Sequence, residues 1–535
     1  MVLDTLLRNG VCYTMAAEGG AVDAIGIKDG LIVFAGSNAS ASEYRSKRTI
    51  DLNGRIVIPG MADAHMHMYA HCQNLALVDL HEVRSMDEMI HILKEKSLET
   101  PEGNWIKGVN FDQSKFIENR FPTKDDLDKV SSKHPIVIKR CCLHAVVANT
   151  LALETVGVVN GYDPGEGGIV EIDALGHPSG ILREQSTKVF DEIMPDPLAD
   201  ETAKRRIMKD VFHDMSSKGI TTIHTYAAKI WRYDEDIELY REFQESGELP
   251  VRVTVCMDEL FDKENVSVEE LSNPHRLVQQ GAYKLFTDGS LGSRSAALKE
   301  PYTDDPDNRG FVVCSQETLN EKVLIAYKKG LQPAIHAIGD AALDMTLAAI
   351  EKCLEQVDSA GRLPFRIIHV QMIDDELMKR MKRLPVVLDI QPVFLCTDLH
   401  WIEDRIGPER LKSSYCWKRF VDEGFIQTGG SDCPVESYDP MKGIFAAVAR
   451  TDMQGHPQGG FLPGECLSIY EAISLFTKNP HYATGQQEML GTLEVGKFAD
   501  LVVLDRDPFT MAVEELLNIS VEKTFIAGRQ VYSVE

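Results

Sequence analysis

Arg55-Ile56-Val57-Ile58-Pro59-Gly60-Met61-Ala62-Asp63-Ala64-His65-Met66-His67 is the stretch from which the fold is read. The apolar run Arg55 to Ile58 predicts a strand, and Pro59-Gly60 punctuates it. Two histidines at i and i+2 on a strand project to the same face, so both imidazoles can reach one ion. An isolated pair of this kind is equally well two unrelated surface histidines. Its place at a strand's carboxyl end favours ligands.

Four later segments each end an apolar run in a potential ligand. They are Ala282-Tyr283-Lys284-Leu285-Phe286, Pro333-Ala334-Ile335-His336, Phe365-Arg366-Ile367-Ile368-His369 and Gly424 to Asp432. Taken singly, His336 and His369 read as hydrogen-bonded core histidines, Lys284 as an ion-paired lysine and Asp432 as a helix N-cap. Spacing argues against coincidence. A (β/α)8 barrel allots roughly 31 residues to each unit. The gaps Lys284–His336, His336–His369 and His369–Asp432 fit one long unit, one unit and two units. The gap His67–Lys284 far exceeds the ~90 residues of three units, which calls for an insertion. His65 and His67 then belong to strand 1, Lys284 to strand 4, His336 to strand 5, His369 to strand 6 and Asp432 to strand 8. All point to the carboxyl-terminal face, where barrel active sites are built.

The fold class expected is therefore α/β, a (β/α)8 TIM barrel over residues 59–487. Both chain ends, 1–58 and 488–535, are β-rich with glycine turns such as Lys28-Asp29-Gly30 and Asn53-Gly54. Neither has enough strands to hide a core, so the two combine into one small β-sandwich. Between about 102 and 184 the β/α alternation fails and Gly/Pro turns accumulate, marking an inserted subdomain. Ser85-Met86-Asp87-Glu88 and Ser468-Ile469-Tyr470-Glu471 fit capping boxes that start helices.

Composition narrows the function. The chain has 535 residues, 44% hydrophobic and 26% charged, which is ordinary for a soluble globular protein. Lys+Arg number 56 against 82 Asp+Glu, a net charge of -26. So acidic a chain is a poor partner for a nucleic-acid backbone or an anionic membrane surface; the partner expected is a small-molecule substrate. No apolar run approaches the ~18 residues of a spanning helix, and Asp4 is out of place in a signal peptide. Eleven cysteines without a C-x-x-C pair read as reduced thiols of a cytoplasmic protein. Barrels of this size often pair, so a homodimer is a possible assembly.

With the H-x-H, Lys, His, His, Asp order in place, the chain resembles the amidohydrolase superfamily. Tyr283-Lys284-Leu285-Phe286-Thr287-Asp288-Gly289-Ser290-Leu291-Gly292-Ser293-Arg294, Phe111-Asp112-Gln113 and Gly167-Gly168-Ile169 resemble its branch of YtcJ-like proteins and N-substituted formamide deformylases. The resemblance runs nearly end to end. Where that branch usually has Asp-Gly-His, this chain has Cys142-Leu143-His144. The resemblance implies a divalent-metal centre of one or two ions, with Lys284 carbamylated by CO₂ into an anionic bridge. His65, His67 and Asp432 would hold one ion, and His336 and His369 the other. Imidazole and carboxylate ligands suit Zn²⁺ best, with Mn²⁺, Fe²⁺ or Ni²⁺ as alternatives. Such an ion lowers the pKa of bound water from about 15.7 to near 7 and polarises a carbonyl. Asp432 is then the catalytic general base turned general acid, and hydrolysis of an amide-like C–N bond follows.

Other residues have weaker expectations. Arg294, Asp288, His144 and His224 are candidate substrate contacts. Arg294 is equally a salt-bridge partner. His224, in Gly219-Ile220-Thr221-Thr222-Ile223-His224, sits where strand 2 should end and is equally a core histidine. Asp63 either orients a ligating imidazole or serves a turn. Trp105 and Phe111 either cap an apolar substrate or pack their subdomain. Two competing functions remain at this stage. One is a deaminase of an aromatic base, which Lys284 argues against. The other is a catalytically silent regulatory or binding protein, which a full set of buried ionisable groups argues against.

Overall fold

A computed structural model describes residues 1–140, 145–164, 168–190, 193–226, 233–258 and 275–534. The chain forms two compact units, one of Met1–Tyr69 with Asp210–Glu535 and the other of Ala70–Lys209.

The first unit is built on eight parallel strands that neighbour one another in chain order. They are β1 (Met61–Met66), β2 (Ile220–Tyr226), β3 (Arg252–Asp258), β4 (Val278–Phe286), β5 (Pro333–Ala337), β6 (Phe365–His369), β7 (Val386–Ile390) and β8 (Gln427–Gly429). β1 and β6 are buried along their whole length. That is the signature of strands covered on both faces, and it explains their continuous apolar runs. The barrel closes just beyond β8. There the Asp432 amide donates to the His65 carbonyl (2.7 Å) and the His67 amide to the Cys433 carbonyl (2.7 Å). The (β/α)8 expectation is met.

β1 is not the strand first read from the sequence. Ile56–Pro59 belongs to a different sheet, and β1 begins at Met61. Gly60 separates them because a Cβ there would meet the Thr221 side chain at 2.2 to 2.8 Å. That different sheet has six strands: Arg529–Ser533, Val521–Ile526, Leu501–Leu504, Ile56–Pro59, Val11–Tyr13 and Ala21–Val22. It draws on both chain ends. A four-stranded sheet of Leu31–Gly36, Ala24–Lys28, Val2–Arg8 and Arg45–Asp51 shares its core through Leu7, Ile25, Ile27, Val57, Leu501 and Phe525. Asp29-Gly30 joins two of these strands with φ of 50° and 81°, the doubly left-handed pair a tight hairpin needs. Asn53-Gly54 is also a left-handed turn, but it passes the chain from one sheet to the other. The Arg252–Asp500 ion pair, 2.6 Å long and almost fully buried, fastens β3 to this layer.

The second unit, Ala70–Lys209, contains residues 102–184 and extends beyond them at both ends. Its six-stranded sheet runs Gly168–Ile172, Pro178–Glu184, Ala145–Ala148, Ile136–Arg140, Ile106–Phe111, Val78–Asp79. Phe111 is fully buried in this unit's core against Phe121, so it is packing and not a substrate cap. Trp105 packs against Phe190 in the same way.

Both expected helix starts are present. Ser468 and Glu471 form a reciprocal capping box. Ser85 accepts from the Glu88 amide, but the Glu88 carboxylate returns to the Arg84 amide and not to Ser85. Among the described residues no helix is long and apolar enough to cross a membrane, and the nine cysteines are free.

Candidate metal centre

Inward-facing positions at the carboxyl ends of β1, β4, β5 and β6, and the turn after β8, bring six side chains together. His65 is fully buried, with Nε2 3.4 Å from Asp432 Oδ1. His67 Nε2 lies 3.1 Å from the same oxygen. Ligand atoms of His65, His67 and Asp432 all fall within 4.8 Å of one another, the one such trio among the described residues. Lys284, 2% exposed, places Nζ 3.5 Å from His65 Nε2. The His369 ring centre is 5.7 Å from that of His65 and 4.5 Å from that of His336.

Hydrogen bonds fix which nitrogen faces inward on two of these rings. Gln391 donates its amide NH₂ to the Asp389 carbonyl at 3.1 Å, which turns its oxygen toward His369 Nδ1 at 2.6 Å. Nδ1 therefore carries the proton and Nε2 the lone pair. His336 Nε2 points at the Gly289 carbonyl at 3.1 Å, so its Nδ1 is the nitrogen left for an ion.

The charge states suit a cation. Burial holds His65 well below the ordinary histidine range, and the nearby Lys284 adds to this. Burial does the same to His369, helped by His336. Burial alone would raise the Asp432 carboxyl, but the surrounding imidazoles, His65 foremost, outweigh it and hold the group well below the usual carboxylate range. Imidazole nitrogens gathered around a carboxylate form a nitrogen–oxygen donor set of the kind Zn²⁺ accepts. The backbone is also strained here. His369 and Asp432 have φ of 77° and 56°, a conformation costing about 1–3 kcal/mol each for residues other than glycine.

Asp63 holds backbone, not an imidazole. Its carboxylate accepts from the His65 amide (3.0 Å), the Ser431 amide (3.2 Å) and the Ser431 hydroxyl (2.5 Å). Burial pushes it up to about 7 against these bonds. It thereby ties the histidine strand to the residue preceding Asp432.

Three of the expected substrate contacts are committed elsewhere. β2 runs to Tyr226, two residues past the point read from sequence, so His224 lies one inward layer deeper. It is fully buried, with Nδ1 3.3 Å from the Arg366 guanidinium, and is a core histidine. Arg294 forms a forked ion pair with Asp304 at 3.0 and 2.8 Å. Asp288 is buried and accepts from the amides of Ala297, Ile338 and Gly339, with Oδ1 3.3 Å from His336 Nε2. Its role is to shape the turns beside His336. His144 lies outside the described residues.

Sequence reading missed Tyr226, Gln391, Ser431 and the Arg366–Asp389 ion pair. Arg366 Nε meets Asp389 Oδ2 at 2.7 Å with both side chains buried, and Nη2 donates to the Ala64 carbonyl at 2.8 Å. That carbonyl belongs to the residue between Asp63 and His65. Gln391 had a visible signal, since it follows the largely apolar segment Val386-Val387-Leu388-Asp389-Ile390 much as His369 follows its own.

An eight-stranded parallel barrel with this donor set at its carboxyl-terminal face has the architecture of a metal-dependent hydrolase. The chain belongs to the amidohydrolase family, whose model matches residues 48–532. It is 34% identical to the "Putative amidohydrolase YtcJ" of Bacillus subtilis (strain 168), over 99% of each chain. It is 27% identical to the N-substituted formamide deformylase of Arthrobacter pascens, over 98% of this chain and 97% of that protein. It superposes with a TM-score of 0.78 on the crystal structure of an uncharacterized metal-dependent hydrolase from Pyrococcus horikoshii OT3. That pair is 28% identical, with 95% of this chain and 99% of the other covered.

Proposed function

We propose that this protein hydrolyses an amide-like C–N bond in a small molecule, an N-substituted formamide or a related amide, at a divalent-metal centre. The observation that carries this reading is the meeting of His65, His67 and Asp432 within 4.8 Å, beside His336, His369 and Lys284. Zn²⁺ is the ion these donors suit best, as one ion or two. His65, His67 and Asp432 would hold it, with His336 and His369 available to a second. Lys284, carbamylated by CO₂, would join the two sets. When bound, the metal supplies acidification of water and polarisation of a substrate carbonyl.

The protein's own groups do the rest. Asp432 is ionised at neutral pH, so it can take a proton from the attacking water and return it to the leaving nitrogen. Asp432 Oδ1 is flanked by the two imidazoles, which leaves Oδ2 as the proton carrier. The His369–Gln391 bond keeps the Nε2 lone pair directed inward throughout. The relative from Arthrobacter pascens, by its name, acts on N-substituted formamides, which makes formamides the first compounds to test. Purified protein reconstituted with Zn²⁺ is offered a series of N-substituted formamides and acetamides. Release of formate and amine, abolished by chelation and restored by metal, is expected. Turnover of none of them, alongside deamination of a purine or pyrimidine, would replace this reading with the deaminase.

A further inference from the structure

We propose that Tyr226 is the positioning residue for the metal centre, setting the plane of the His65 imidazole by stacking where no hydrogen bond to its Nδ1 does so. The inference rests on the metal-centre reading above and goes beyond it. Histidines that ligate metals usually have their second ring nitrogen held by a carboxylate, carbonyl or water, which fixes ring orientation. His369 has Gln391 and His336 has the Gly289 carbonyl. His65 differs. Its Nε2 faces Asp432 and Lys284, while its Nδ1 is buried with no hydrogen-bond partner among the described residues. Hydrogen bonding thus tethers that ring at Nε2 alone and leaves its second nitrogen unheld.

What lies against it is the Tyr226 ring. The two centroids are 4.2 Å apart with planes inclined by 29°, a close stack of one ring on the other. The same ring is 6.0 Å from His67 and has Lys284 Nζ 5.0 Å from its centre. Tyr226 is the last residue of β2, paired in the sheet alongside β1, and is 2% exposed. One rigid aromatic plane with only two side-chain torsions thus touches three of the six gathered side chains, from β1 and β4. Its hydroxyl is buried with no hydrogen-bond partner among the described residues, so it holds none of them. The ring face therefore does the positioning, and the hydroxyl is dispensable.

This separates the substitutions. Metal-free wild type, Tyr226→Phe and Tyr226→Leu are titrated with Co²⁺ alone and read by visible absorption. Zn²⁺ affinity is measured by competition with a chromophoric chelator, and folding by circular dichroism. Tyr226→Phe should match wild type in both band shape and affinity. Tyr226→Leu should stay folded, bind Zn²⁺ about 10- to 100-fold more weakly and give an altered Co²⁺ band, the usual scale for losing an orienting partner. Tyr226→Met, which fills the volume without a ring, should behave as Tyr226→Leu and replaces it if Leu does not fold. Wild-type affinity and band shape in the ringless variants would overturn the proposal. So would a loss in Tyr226→Phe equal to that in Tyr226→Leu. Failure of both ringless variants to fold, with Tyr226→Phe folded, would overturn it too, because the ring would then hold the barrel and not the imidazole. Absence of Co²⁺ binding in wild type would instead sink the metal-centre reading itself.

Discussion

Replacing Arg366 with methionine removes one cation from the barrel interior and leaves its partner behind. Arg366 and Asp389 are 0% and 1% exposed at the side chain, 2.7 Å apart. In Arg366→Met the Asp389 carboxylate keeps the Thr428 hydroxyl at 2.7 Å but loses its counter-ion while staying buried. Breaking a buried pair from one side costs about 3–5 kcal/mol, because the remaining charge is uncompensated. Arg366→Met/Asp389→Leu removes both charges, and such apolar replacements are often neutral or stabilising. The double variant should therefore be less destabilised than Arg366→Met by roughly 2 kcal/mol or more, a coupling that a double-mutant cycle isolates. The two compact units need not unfold together, so a single denaturation midpoint is an insufficient readout. Hydrogen exchange of β1 and β6 amides in the metal-free protein reports barrel opening directly. Arg366 also holds the Ala64 carbonyl, so protection of β1 should fall most in Arg366→Met. A single-variant cost under about 1 kcal/mol, or a double variant as damaged as the sum of the singles, would refute the reasoning.

Two further outcomes are expected. Asp432→Asn keeps an oxygen donor but cannot accept the proton. It should fold and bind Zn²⁺ while turnover of whichever formamide proves active falls about 10²- to 10⁴-fold, and near-wild-type turnover would dismiss Asp432 as the proton carrier. His481 is fully buried, and burial lowers it to about 4 from the ordinary 6.5. Below pH 6.5 the unfolded chain takes up a proton that the folded one refuses, so stability present above 6.5 is lost as pH falls toward 4. At pH 5 that amounts to about 2 kcal/mol for this one group. The acid-induced loss in unfolding free energy should be smaller by that amount in His481→Gln, and parallel pH profiles for the two proteins would rule this out.

The barrel was legible because its strands announce themselves. Phe365 to His369 and Pro333 to His336 are short, largely apolar runs ending in a histidine, at intervals the βα repeat dictates. The convergence of Lys284, His336, His369 and Asp432 follows from the same periodicity. What stayed hidden depends on partners far apart in the chain. Nothing near Asp288 points to the amides of Ile338 and Gly339, and nothing near Arg366 points to Asp389. His224 was placed at the mouth because β2 was ended two residues early. With the strand running to Tyr226, alternation puts His224 a layer below and a tyrosine where a ligand had been sought. Ile56 to Ile58 looked like the strand that presents the histidines, yet Gly60 breaks the chain there and a new strand begins at Met61.

Anomalous X-ray scattering at the zinc edge, on crystals of the protein grown with Zn²⁺, tests the metal centre most directly. One or two peaks are expected. The first should lie about 2.0–2.2 Å from nitrogen or oxygen atoms of His65, His67 and Asp432, and any second should lie beside His336 and His369. A map with no peak among these side chains, or with zinc held only elsewhere on the surface, would contradict the assignment of this cluster as a metal site.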